Sequence, residues 1–106
     1  MVVEITTENF EKEIKQSELP VVLDAYAPWC GPCKAMAPIF EEIEKELGSS
    51  YKFAKMNVDD ARDIAIEFQI LTLPTFLFIK NGEVVDRVIG STTKDAMTEK
   101  IKSVLG

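Results

Sequence analysis

Cys30 and Cys33 stand three positions apart, and the chain holds no other cysteine and no histidine. Without histidine, His-ligated metals, Ser-His-Asp triads and Cys–His nucleophile pairs drop out. Acid–base work must fall to carboxylates, lysines, tyrosines or thiols. Four chemistries remain for the pair. A structural disulfide would close a very small loop, and short loops constrain the unfolded chain least. Half of a zinc site would need two more ligands, which only a second chain could bring. Two inert thiols would suit an apolar interior. Trp29, Gly31, Pro28 and Pro32 around them argue instead for an exposed, stiffened loop. A redox dithiol is the fourth chemistry and the best supported, because C-x-x-C beside a strand–helix–strand pattern signals thiol–disulfide exchange.

Position supplies the physics. Val21–Tyr26 is a nearly continuous apolar run, the pattern of a strand buried on both faces. A tight loop, Ala27–Lys34, feeds a helix expected over Cys33–Leu47, with Ile39, Phe40, Ile43 and Leu47 on one face. A helix N-terminus carries partial positive charge and unpaired N–H groups. Cys30 would sit there, so its thiolate is stabilised and its pKa is expected below that of a free cysteine. Cys33, one turn further in, is expected to be more buried and to keep its proton longer. Pro32 suits the first helical position, where a missing N–H is no loss. Asp24 is the anomaly in the apolar run: a carboxylate there is costly without a role, and burial raises an acid's pKa.

The remaining elements follow from period and punctuation. Val2–Ile5 reads as a short strand, followed by a helix over 8–16 capped by Thr7. Pro38 should kink the cysteine-bearing helix, and Gly48 should end it. Tyr51–Val58 reads as a strand, Ala61–Phe68 as a helix capped by Asp59 or Asp60, and Thr75–Ile79 as a buried strand. Asn81-Gly82 is a hairpin signal with Val84–Ile89 as the return strand. Thr92-x-x-Asp95 resembles a capping box for a last helix carrying Met97, Ile101, Val104 and Leu105. The order β-α-β-α-β-α-β-β-α implies a single α/β domain over residues 1–106, a mixed sheet with helices on both faces.

At 106 residues and 46% hydrophobic, the chain can bury its own core. Its net charge of −6 disfavours nucleic acid and anionic membrane as partners. The first residues lack the basic start and long apolar run of a secretory signal, and Leu71–Ile79 is too short to span a bilayer, so a cytoplasmic protein is expected.

Trp29-Cys30-Gly31-Pro32-Cys33-Lys34 matches the active-site signature of the thioredoxin family, and the resemblance runs over nearly the whole chain. It implies a thioredoxin fold, a five-stranded mixed sheet flanked by four helices. It implies a protein-disulfide reductase in which Cys30 is the nucleophile and Cys33 the resolving thiol. Gly31 and Pro32 set the geometry between them. The strand with Asp24 resembles the one carrying the family's buried acid, which implies that Asp24 lies behind Cys33 and takes that thiol's proton through water. Lys55-Met56-Asn57-Val58-Asp59 resembles the next strand, which puts Lys55 near Asp24 as its tuning residue. Leu73-Pro74-Thr75 resembles the family's cis-proline loop. With Trp29 and Gly90, Leu73 and Pro74 would then contact substrate. The implied partners are disulfide-containing proteins and a thioredoxin reductase. The implied state is a monomer without metal or bound cofactor. Strongly oxidising relatives carry a histidine between the cysteines; Gly31-Pro32 favours the reducing direction. An oxidase or isomerase of the same fold, or a binding module with incidental thiols, would be the alternatives. Two departures touch packing and partner choice. Ala25-Tyr26 stands where two bulky aromatics are common, and Thr72 where Gly or Ser is common.

Overall fold

A computed structural model describes residues 1–106. Its strands are β1 (Val3–Ile5), β2 (Val21–Tyr26), β3 (Lys52–Asn57), β4 (Thr75–Lys80) and β5 (Glu83–Ile89). Its α-helices are α1 (Gly31–Leu47), α2 (Arg62–Glu67) and α3 (Lys94–Leu105), and a π-helical turn covers Glu11–Lys15. One sheet holds all five strands in the order β1-β3-β2-β4-β5. β1 and β2 run parallel to β3, while β4 is antiparallel to β2 and to β5. This is the mixed five-stranded α/β architecture that the resemblance implies. No helix is long and apolar enough to cross a membrane.

β2 is central, and its first five residues are all buried. Successive side chains of a strand point to opposite faces. Val21, Leu23 and Ala25 accordingly join a core with Ile14, Ile64 and Leu77. Val22 points to the other core, built with Phe40, Ile43, Phe76 and Ile101 under α1 and α3. The same alternation turns Asp24 toward α1. It does the same in β3, where Phe53 joins the α1 side and Ala54 and Met56 the other, so Lys55 shares the face of Asp24.

Several local expectations are corrected. Thr7 does not cap the first helical turn: its hydroxyl donates to Asp63 Oδ1 at 3.0 Å. Asn9 organises the entry instead, its Oδ1 accepting from the Thr6 N–H at 2.8 Å. The turn then closes with the wider π spacing, the Gln16 N–H donating to the Glu11 carbonyl at 3.0 Å. α1 begins at Gly31, two residues before the expected start, which makes Cys30 the N-cap and Pro32 the second helical residue. α1 runs as one helix from Gly31 to Leu47 with Pro38 inside it. That proline is exposed, so the hydrogen bond it cannot donate falls on the solvent side. Neither Asp59 nor Asp60 caps α2, whose N-cap is Ala61. α3 is capped by Thr93, not Thr92, its hydroxyl accepting from the Ala96 N–H at 3.1 Å. The hairpin is as expected: Asn81 and Gly82 both have positive φ, 54° and 81°, which suits the right-handed twist of β4 and β5.

Candidate active site

β2 ends at Tyr26, and the chain turns sharply into α1. The Cys30 N–H donates to the Ala27 carbonyl at 3.1 Å, which tightens the turn. Cys30 is extended, with φ −87° and ψ 110°, as an N-cap should be. Its Sγ accepts the Cys33 N–H at 3.2 Å, so the sulfur does the capping normally done by an oxygen. The two cysteines form a disulfide, with their Cα atoms 5.3 Å apart. The helix therefore delivers an N–H and its positive end to Cys30.

The expectation that Cys33 is the more buried thiol is not met: both cysteines are 5% exposed. Trp29, Gly31 and Pro32 around them are exposed, as the loop composition suggests. What separates the thiols is the space each faces. Cys30 opens on an outer groove of about 690 Å³, shared with Trp29, Pro32, Ile66, Leu71 and Leu73. Cys33 opens on an inner cavity of about 300 Å³, shared with Asp24, Tyr26, Lys34, Ala37 and Lys55.

Asp24 is 4% exposed, and its Oδ1 has no hydrogen-bond partner. Burial pushes its pKa up to about 7, against the pull of Lys55 and with a smaller push from Glu4. Lys55 is the in-register neighbour of Asp24 across β2 and β3. The Leu73–Pro74 peptide is cis. Leu73 packs against the cysteines and lines the outer groove. Pro74 is buried behind it and does not line the groove. Gly90, with φ +91°, donates its N–H to the Pro74 carbonyl at 2.8 Å and so braces the loop without lining the groove. Thr72 is held from below, its carbonyl accepting the Thr75 hydroxyl at 2.5 Å.

Two groups at the site lie outside the sequence reading. Asp59 Oδ2 accepts the Trp29 indole N–H at 2.9 Å and fixes the exposed ring beside Cys30. Ile66 and Leu71 form the far wall of the groove, 77% and 92% exposed. A signal for Ile66 exists: in a helix whose Ile64 is buried, Ile66 is an apolar residue off the buried face.

Comparison with known proteins agrees with this geometry. The family model described as Thioredoxin matches residues 1–103. A thioredoxin of Rickettsia felis is 43% identical over 97 residues, covering 92% of each chain. One of Haemophilus influenzae is 40% identical over 100 residues, covering 94% of each. A chloroplastic M-type thioredoxin of Spinacia oleracea is 38% identical over 102 residues, 96% of this chain but 56% of that longer protein. A match over nearly the full chain, on a sheet and disulfide of this kind, shows that the chain belongs to the thioredoxin family and that its Cys30–Cys33 pair serves thiol–disulfide exchange.

Proposed function

We propose that the chain reduces protein disulfides in the cytoplasm as a monomer and is itself reset by a thioredoxin reductase. The observation that carries the mechanism is that each sulfur faces a different space: Cys30 the outer groove, Cys33 the cavity of Asp24. In the reduced protein the Cys30 thiolate, stabilised at the α1 N-terminus, attacks one sulfur of a substrate disulfide. A Cys30–substrate bond forms, and the other substrate sulfur leaves as a thiolate that takes up a proton. Asp24 then accepts the Cys33 proton across the inner cavity. The Cys33 thiolate attacks Cys30 Sγ, the intramolecular disulfide forms, and the second substrate thiol is released. Two electrons have passed from the dithiol to the substrate.

Lys55 adjusts the readiness of Asp24 to accept that proton. Trp29 and Leu73 flank the attacking sulfur, and the groove they share with Ile66 and Leu71 suits an extended, largely apolar substrate segment. Pro74 and Gly90 hold Leu73 in place. Gly31 and Pro32 carry no ionisable group, so nothing between the cysteines stabilises the reduced form further, and the reducing direction is favoured. The test is turbidity from insulin-disulfide reduction with dithiothreitol as electron source, together with the redox potential of the pair. Acceleration by the parent and none by Cys30→Ser is expected. A potential much less negative than that of dithiol reductants would point to an isomerase instead.

A further inference from the structure

Three charged residues lie in one row across the sheet. Glu4 of β1 is the in-register partner of Lys55 of β3, and Lys55 that of Asp24 of β2. A cation thus stands between two carboxylates. It is not shared evenly. Lys55 Nζ lies 3.9 Å from Glu4 Oε1, whereas Asp24 has no ion pair and one wholly unpartnered oxygen. Glu4 is itself held: the Tyr26 hydroxyl, two residues on from Asp24 and on the same face, donates to its carboxylate at 3.1 and 3.2 Å. Glu4 and Lys55 are both about half exposed, at the solvent end of the row.

We propose that Glu4, anchored by Tyr26, is a positioning residue for Lys55: it holds the ammonium toward the sheet edge and so leaves the Asp24 carboxyl without an ion-pair partner. This deepens the proposed function, and rests on it for the claim that the Asp24 proton matters to turnover. The physical logic is competition. A lysine drawn fully to Asp24 would fix that group as a carboxylate, a poor acceptor for the Cys33 proton. A lysine drawn to Glu4 leaves Asp24 able to gain and lose a proton near neutrality. The negative charge of Glu4 acts in the same direction. The other groups around Asp24 are Cys33 and Lys34 of α1, which line the same cavity, and Tyr26 of its own strand. Across β4 its in-register partner is Phe76, which carries no charge.

The experiment is titration of the Asp24 carboxyl in the oxidised protein, followed by the NMR shift of its side-chain carboxyl carbon. Glu4→Gln should lower the midpoint by roughly half a pH unit or more, since Lys55 is released toward Asp24 and a negative charge is gone. Lys55→Gln should raise it. In the Lys55→Gln background, Glu4→Gln should have a smaller effect than in the parent, because no ammonium remains to be released. Tyr26→Phe keeps the ring, loses the anchor, and should shift the midpoint in the direction of Glu4→Gln by less. It also keeps the test open should Glu4→Gln fold poorly. An unchanged or raised midpoint in Glu4→Gln, or an equal shift in both backgrounds, overturns the proposal. A Tyr26→Phe midpoint identical to the parent overturns the anchoring. If the midpoint falls in Glu4→Gln while the pH profile of mixed-disulfide resolution stays put, the Glu4 assignment stands and Asp24 is not the proton acceptor.

Discussion

At pH 7 the Asp24 carboxyl is about half ionised in a site that gives its Oδ1 no donor. In the unfolded chain the same group titrates near 3.8. The unfolded state therefore loses its proton first, and stability falls as pH rises through the interval between the two values. The cost begins above pH 4, grows by about 1.4 kcal/mol per pH unit, and levels off beyond pH 7, reaching about 4 kcal/mol. Asp24→Asn keeps the shape but cannot ionise. It should match the parent in urea midpoint at pH 4 and be more stable at pH 8 by about that amount. It should also slow resolution of the mixed disulfide at neutral pH, with the deficit shrinking as pH approaches the thiol's own pKa. Equal stability at pH 8, or unchanged rates, would contradict the burial of a working acid. Of the two thiols, Cys30 faces the outer groove and the helix N-terminus. Reduced protein should alkylate with iodoacetamide at Cys30 first, and Cys33→Ser should accumulate a Cys30–substrate disulfide visible on a non-reducing gel.

The elements differ in how much their glycines matter. Gly82 sits in the β4–β5 turn with φ +81°, and a Cβ there would lie 2.9 Å from the Lys15 carbonyl oxygen. Gly82→Ala meets both a left-handed backbone and another segment's main chain, so thermal denaturation should show a loss of about 2 kcal/mol or more. Gly31 opens α1, and a Cβ there would meet nothing within 4 Å. Gly31→Ala should be neutral or gain up to about 0.5 kcal/mol, because alanine loses less backbone entropy in a helix. The same contrast shows what the sequence could reveal at this scale. The Asn81-Gly82 hairpin and the buried run of β2 were legible because turn chemistry and apolar periodicity are local. Thr7 and Thr92 read as caps in the sequence and do not cap, because a threonine caps only where the chain's path aims its hydroxyl at the first turn. Thr7 is taken by Asp63, 56 residues away, and Thr93 is better aimed than Thr92. The start of α1 is not legible because a cysteine takes the N-cap role, its sulfur accepting the N–H of Cys33, the third helical residue. The pair itself and the anomalous Asp24 were plain in the sequence. The Trp29–Asp59 bond and the groove wall of Ile66 and Leu71 were not, since they exist only once α2 is folded beside the α1 N-terminus.

For the whole molecule, the disulfide ties folding to redox state. Cys30 and Cys33 close a loop of about four residues, and the chain-entropy account then gives about 2 kcal/mol of constraint on the unfolded state. The folded state loses nothing comparable, because the α1 N-terminus already holds the cysteines together through the Cys33 N–H to Cys30 Sγ bond and the Ala27 turn. The oxidised protein should therefore unfold at higher urea than the reduced one, by about 2 kcal/mol at fixed pH. Thermodynamic closure carries the same quantity into the potential. If the fold favours the disulfide over the dithiol by 2 kcal/mol more than the unfolded chain does, the folded pair is harder to reduce by about 40 mV than the same sequence in denaturant. A fold that favours its own oxidised form makes its reduced form a better electron donor, the direction that disulfide reduction needs. The check is urea titration of both redox forms, paired with glutathione equilibration in buffer and in high urea. Reduced protein as stable as oxidised, or a potential unmoved by unfolding, would show that the reducing tendency comes from the two thiols alone and not from the architecture that holds them.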